Sequence, residues 1–131
     1  MSRPCPCLSK LTYDRCCEPF LTGKADPPTA EKLMRSRFTA YAMRRSDYLV
    51  ATTAEAERAK LDPEELAGYC RMVKCISLKI LGTELGGAQD DTGVVIFHAS
   101  LQINGRRTLH REVSRFVREG GRWAYLDGET S

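Results

Sequence analysis

Apolar residues recur three and four positions apart at Ala30, Leu33, Met34, Phe38 and Tyr41, and this spacing predicts an amphipathic helix. Thr29 stands where an N-cap belongs. Glu31 puts a negative charge in the first turn, where the helix dipole favours it. Arg37 falls in the middle of the apolar stripe, an unusual place for a guanidinium. Asp47 can cap a shorter helix through Tyr48, Leu49 and Val50. A further helix start is written in Leu61-Asp62-Pro63-Glu64-Glu65. Asp62 caps, Pro63 takes the first helical position and Glu65 completes a capping-box-like arrangement. Leu66, Tyr69, Cys70 and Val73 make the stripe of that helix.

After residue 73 the period drops to two. Cys75-Ile76-Ser77-Leu78-Lys79-Ile80-Leu81 alternates as a strand does, and Gly82, Gly86, Gly87 and Asp90-Asp91 punctuate a turn. Residues 94–103 are rich in strand formers, and Asn104-Gly105 is a strong hairpin signal. Residues 108–118 form the next strand. Glu119-Gly120-Gly121 turns into the last one at 122–126. Helices first and an antiparallel meander afterwards make an α+β layout, with helices packed on one face of a curved sheet. Residues 1–24 look different, a compact knuckle with little secondary structure of its own, and Asp26-Pro27-Pro28 reads as a connector. The expected organisation is a metal-binding motif over 1–24 and an α+β domain over 25–131.

Composition narrows the function classes. A net charge of +3 across 131 residues is too weak to argue for nucleic acid without a clustered patch. The pairs Arg44-Arg45 and Arg106-Arg107 suit a solvated helix end and a hairpin turn. No stretch approaches the ~20 apolar residues that a membrane helix needs. The opening residues carry no apolar run of the kind a secretory leader has, so the expected setting is the cytoplasm, where thiols stay reduced.

Four of the six cysteines fall in the first 17 residues, as Cys5-x-Cys7 and Cys16-Cys17. Two close pairs separated by a short loop can wrap one zinc ion, which prefers four ligands in a tetrahedron and suits thiolate sulfur. Four thiolates leave no open position, so the zinc is expected to be structural. Lys10 and Arg15 would offset part of the site's negative charge. So short a segment buries little core, and metal binding would supply the missing stability, on the order of 10 kcal/mol for small zinc modules. Cys70 and Cys75 read as buried small hydrophobes.

Cys5-Pro6-Cys7 with Tyr13 and Cys16-Cys17 resembles the SEC-C motif, the zinc-binding element found at the C-terminus of the SecA motor protein. The remainder of the chain resembles the YchJ family. The matching residues are Pro19-Phe20-Leu21 with Gly23, Leu33-Met34-Arg35-Ser36-Arg37-Phe38, Ala40-Tyr41 and Asp47-Tyr48-Leu49. Near the end they are Leu109-His110, Ser114-Arg115-Phe116 and Gly121-Arg122-Trp123-Ala124-Tyr125 with Asp127-Gly128. The resemblance implies a cone-shaped domain like nuclear transport factor two, with a curved sheet folded around helices, and it brings no activity with it. Three positions depart from the family pattern. Leu8-Ser9-Lys10 replaces Gly-Ser-Gly, so Leu8 and Lys10 are expected to adopt a geometry other than the positive φ that glycine permits. Thr53-Ala54-Glu55 replaces Trp-His-Pro, and a tryptophan is replaced near Cys75.

Cone folds often hold a cavity between sheet and helices. On the strand over 108–118, His110, Glu112, Ser114 and Phe116 share one face, and Leu109, Val113 and Val117 the other. Arg37 could reach a carboxylate in such a cavity, with Glu112 or Asp127 as partner, and His110 could act as a general base. The leading expectation is nevertheless a binding or adaptor module, with the zinc knuckle facing a protein partner and the cone admitting a small molecule. An enzyme built on His110, Glu112 and Arg37 is the alternative. A homodimer through Leu109, Val113 and Val117 is a further expectation.

Overall fold

The computed structural model describes residues 3–130. A 3-10 turn, Tyr13–Arg15, and helix α1, Glu18–Leu21, come after the first cysteines, so the knuckle carries more regular structure than its composition suggests. Next come α2, Ala30–Ala42, α3, Ser46–Ala51, α4, Glu55–Arg58, and α5, Pro63–Met72. Strands β1, Val73–Leu85, β2, Thr92–Ile103, β3, Arg106–Glu119, and β4, Arg122–Thr130, complete the chain. The result is the α+β class expected, with helices on one face of an antiparallel four-stranded sheet in the order β1-β2-β3-β4. No helix among the described residues is long and apolar enough to cross a membrane.

Side-chain caps explain two of the helix starts. The Thr29 hydroxyl accepts from the Lys32 backbone N–H at 3.1 Å and opens α2. The Asp62 carboxylate accepts from the N–H groups of Glu64 and Glu65 at 3.0 and 3.3 Å and opens α5. Asp47 does not cap α3. The helix starts one residue earlier, and Asp47 is held by Arg45 Nε at 2.9 Å, an ion pair that lowers its carboxyl below the usual range.

The sheet differs from expectation at Gly82, which lies inside β1 and not in a turn. A register shift between Ile80 and Gly82 bends the strand there, and the strand continues to Leu85. Alternation then sets the two faces. Val95, Phe97 and Ala99 of β2 and Ser114 and Phe116 of β3 are buried on the inner face, while Leu109 stands on the outer face, 62% exposed. Leu33 and Phe38 of α2, Leu49 of α3 and Trp123 of β4 join one core cluster that also takes in Cys5, Cys7 and Cys17. Two strand-like bonds close the cone, from Ala54 N to Tyr125 O and from Tyr125 N to Thr52 O, both 2.8 Å.

The start of α2 meets the β1–β2 hairpin at close range. Ala30 N donates to Gly86 O at 2.9 Å, and Gly86 adopts φ +79. A Cβ placed on Gly93 would lie 2.5 Å from Gly86 Cα and 3.1 Å from Ala30 Cβ. Gly93→Ala is therefore expected to destabilise the fold by roughly 1–3 kcal/mol, the usual range for overpacking. Chemical denaturation checks this, and an unchanged midpoint would refute the close packing.

Candidate metal centre and cone cavity

The chain doubles back through residues 9–15 to bring the two cysteine pairs together. Cys5 N donates to Leu11 O at 3.0 Å, Tyr13 N to Arg3 O at 2.9 Å, and Leu8 N to Cys5 O at 3.0 Å. The four sulfurs of Cys5, Cys7, Cys16 and Cys17 lie within 4.8 Å of one another, close enough to share one metal ion. Cys7 Sγ and Cys16 Sγ are 3.5 Å apart, Cys16 Sγ and Cys17 Sγ 3.8 Å. Three of the four residues are buried. Cys70 and Cys75 stand outside the group, as expected. Cys70 is buried in the core, and Cys75 is half-buried against the cavity with its thiol pushed up to about 11, chiefly by burial.

Hydrogen bonding among the four thiols is uneven. Donation by Cys17 and Cys5 holds Cys7 far below the ordinary thiol range. Burial pushes Cys16 up to about 11. The bonds of Cys17 to Cys5 and Cys7 drive its thiol well upward. A divalent cation would displace these protons and meet four soft thiolates at once, so the donor set fits a metal.

Residues beyond the ligands hold the sulfurs in place, and the sequence pattern did not single them out. Thr39, fully buried on α2, donates to Cys17 Sγ at 3.4 Å and lies 3.7 Å from Cys5 Sγ. Arg35, one helical turn earlier on the same face, donates to the Cys7 carbonyl at 3.1 Å and pairs with Glu31. Ser9 Oγ sits 3.1 Å from Cys16 Sγ. The available clue was the i, i+4 spacing of Arg35 and Thr39, which puts two polar side chains on one face of the helix.

Leu8 and Lys10 do not adopt the geometry expected of them. Both take positive φ, +61 and +76, the region that glycine occupies cheaply. The hydrogen bonds of the turn and convergence of the sulfurs fix the path, so the substituted residues accept the strain in place of changing the loop.

The second candidate site is a cavity of about 270 Å³ between α2, α5 and the inner face of the sheet. Phe38, Tyr41, Tyr69, Phe97, Leu101 and Tyr125 are among its walls, and Arg37, His110 and Glu112 also line it. The three candidates are thus brought to one space, but not in the pairing expected. Arg37 makes no ion pair with Glu112 or Asp127. Its Nη1 donates to Leu49 O at 3.0 Å, Thr52 Oγ1 at 2.8 Å and Thr53 Oγ1 at 3.4 Å. The physical reason is reach: α2 packs Arg37 beside the C-terminal end of α3, whose carbonyl and hydroxyls satisfy it first. Asp127 lies on the outer face, paired with Arg115. Glu112 instead accepts from His110 Nε2 at 3.0 Å, from Tyr125 OH at 3.0 Å and from Ser114 Oγ. Gly128 backs this carboxylate, since a Cβ there would collide with it. The Arg37 guanidinium stacks over the Tyr125 ring at 4.5 Å, so Tyr125 joins the two charged groups.

This geometry agrees with known proteins. Residues 29–128 match the YchJ middle NTF2-like domain, and residues 1–19 match the SEC-C motif. The chain belongs to the YchJ family. It is 37% identical to a UPF0225 protein of Actinobacillus succinogenes, over 97% of this chain and 82% of that one. It is 42% identical to a UPF0225 protein of Pectobacterium carotovorum, over 98% and 84%. The solution structure of a SEC-C motif containing protein from Rhodopseudomonas palustris superposes with a TM-score of 0.88 at 34% identity, covering 97% of this chain and 98% of that one. The cone fold and the N-terminal cysteine motif are thus the two marks of this YchJ-family chain.

Leu8 is about half exposed, so removing its side chain gives up little packing. Leu8→Gly and Lys10→Gly are each expected to raise stability by about 1 kcal/mol through relief of the left-handed conformation. Thermal denaturation of the single and double variants checks this, and a lowered Tm for both would show that the loop is not strained.

Proposed function

We propose that this protein is a zinc-stapled binding module. Cys5, Cys7, Cys16 and Cys17 hold one structural zinc, and the cone domain offers its cavity to a small molecule. The convergence of four sulfurs within 4.8 Å is the observation that carries the metal assignment. Four thiolates in a tetrahedron suit zinc and leave no position for substrate or water, so the ion staples and does not react. Residues 1–24 and 25–131 are the two working parts under this proposal, and a cytoplasmic setting keeps the thiols reduced. Purified protein is expected to carry near one zinc per chain by elemental analysis. Cys16→Ser is expected to lose most of it and to lower Tm by several degrees. Freshly reduced protein without metal would end the assignment.

Two exposed apolar side chains on the knuckle support the adaptor reading. Leu8 and Leu11 are 48% and 49% exposed, beside Lys10 and Arg15. Under the adaptor proposal, Leu8→Ser with Leu11→Ser weakens partner capture while zinc content stays unchanged. Outer-face pairing into a homodimer through Leu109, Val113 and Val117 belongs to the same proposal. Sedimentation of Leu109→Glu against the parent in an ultracentrifuge tests it.

One arrangement favours the enzyme alternative. Glu112 fixes the His110 ring through Nε2, the geometry that orients an imidazole for proton transfer, with Arg37 lining the same cavity. The His110 side chain is about a third exposed, so His110→Ala should shift Tm little and remove any turnover. Turnover that survives the change would take His110 out of the chemistry.

A further inference from the structure

We infer that the cone cavity receives a small monocarboxylic acid with an aromatic or branched aliphatic body, its carboxylate gripped by the free edge of Arg37. This rests on the proposed use of the cavity as a ligand site. The donors of one buried guanidinium decide the chemistry. Arg37 is only 7% exposed, and all its hydrogen bonds to described residues leave from Nη1. Their acceptors are a carbonyl and two hydroxyls, all neutral. A guanidinium carries five N–H donors, of which Nη1 holds two. The three on Nε and Nη2 have no protein acceptor among the described residues. No fully buried side-chain nitrogen among the described residues lacks a partner, so these atoms keep some exposure, and Arg37 lines both the cone cavity and a cleft beside α4 that holds Leu49 and Thr53.

Direction comes from the planar group. Nη1 points to Leu49, Thr52 and Thr53, and the Nε–Nη2 edge lies opposite Nη1. That edge is the parallel pair of donors that matches a carboxylate in bidentate fashion. The Arg37 Cζ lies over the Tyr125 ring, 4.5 Å from its centroid. Tyr41 lies one helical turn beyond Arg37, lines the same cavity, and its hydroxyl makes no hydrogen bond to a described residue. Burial keeps that hydroxyl protonated, so it can donate to the second carboxylate oxygen.

The rest of the cavity sets the ligand's charge and size. Glu112 faces the same space, and its own three donors, from His110, Ser114 and Tyr125, spread its charge without cancelling it. A second anionic group on the ligand would be repelled there, which favours one carboxylate over a dicarboxylate or a phosphate dianion. Phe38, Tyr69, Phe97 and Leu101 supply apolar wall, and about 270 Å³ admits only a small body.

The test uses the full zinc-loaded chain, with phenylacetate and hexanoate as probes and phenylacetamide and hexanamide as neutral counterparts, monitored by calorimetry and by NMR of the cavity residues. Each acid is expected to bind at least tenfold tighter than its amide. Arg37→Lys, which keeps the charge and loses the fork, should weaken the acids about tenfold and leave the amides alone. Tyr41→Phe should weaken them severalfold, and it carries the comparison should Arg37→Lys fail to fold. Acid and amide binding equally would overturn the carboxylate inference and leave the cavity as a ligand site. Acids that bind the variants as tightly as the parent would overturn it too. If neither acid nor amide perturbs the cavity at millimolar concentration, the ligand-site proposal falls along with it.

Discussion

The contact of Thr39 with the sulfur group is the interaction on which the two parts of the molecule depend. A short cysteine-rich loop has no core of its own, and here its buried sulfurs lie against a hydroxyl on the longest well-capped helix. Arg35 fastens the same loop through the Cys7 carbonyl. Sulfur group and cone therefore share one core cluster, and a metal held by the four cysteines would stabilise the position of α2 as well as the loop.

Helix α2 serves two sites at once because three of its sides are covered. Arg35 and Thr39 face the cysteines, Leu33 and Ala40 pack in the core, and Arg37, Phe38 and Tyr41 reach the cavity. Ser36 bonds within the interior to Tyr48 OH at 2.8 Å. Coverage on this scale makes α2 insensitive to the usual solvent-facing rule and tolerant of polar residues wherever a partner is at hand.

Charge in the cavity is arranged so that neither ion is paired directly with the other. Arg37 is satisfied on one side by neutral acceptors at the end of α3, and Glu112 by three donors from β3 and β4. The Tyr125 ring lies between them, stacking with the cation and donating to the anion. A direct ion pair would have cancelled both charges and closed the space. Separation leaves a polarised pocket with apolar walls.

The sequence determined the parts whose causes are local. Caps at Thr29 and Asp62, the hairpin at Asn104-Gly105 and the switch from helical to strand period were all legible, and so was the order of helices and meander. The cysteine spacing pointed to a sulfur cluster that could hold a metal, because two close pairs separated by a short loop can wrap one ion. Alternation along β3 put His110 and Glu112 on one shared face, and only the packing of the helices made that face the inner one. Tertiary structure alone decided the rest. Whether Asp47 caps or pairs with Arg45 depended on a neighbour's reach, not on its own preference. Positive φ at Leu8 and Lys10 was imposed by a turn whose bonds outweigh the local penalty. The partners of Arg37, and the roles of Thr39 and Tyr125, lie in contacts between residues far apart in the chain. Such contacts are set by how helices and sheet pack together, a constraint that no short stretch of sequence carries.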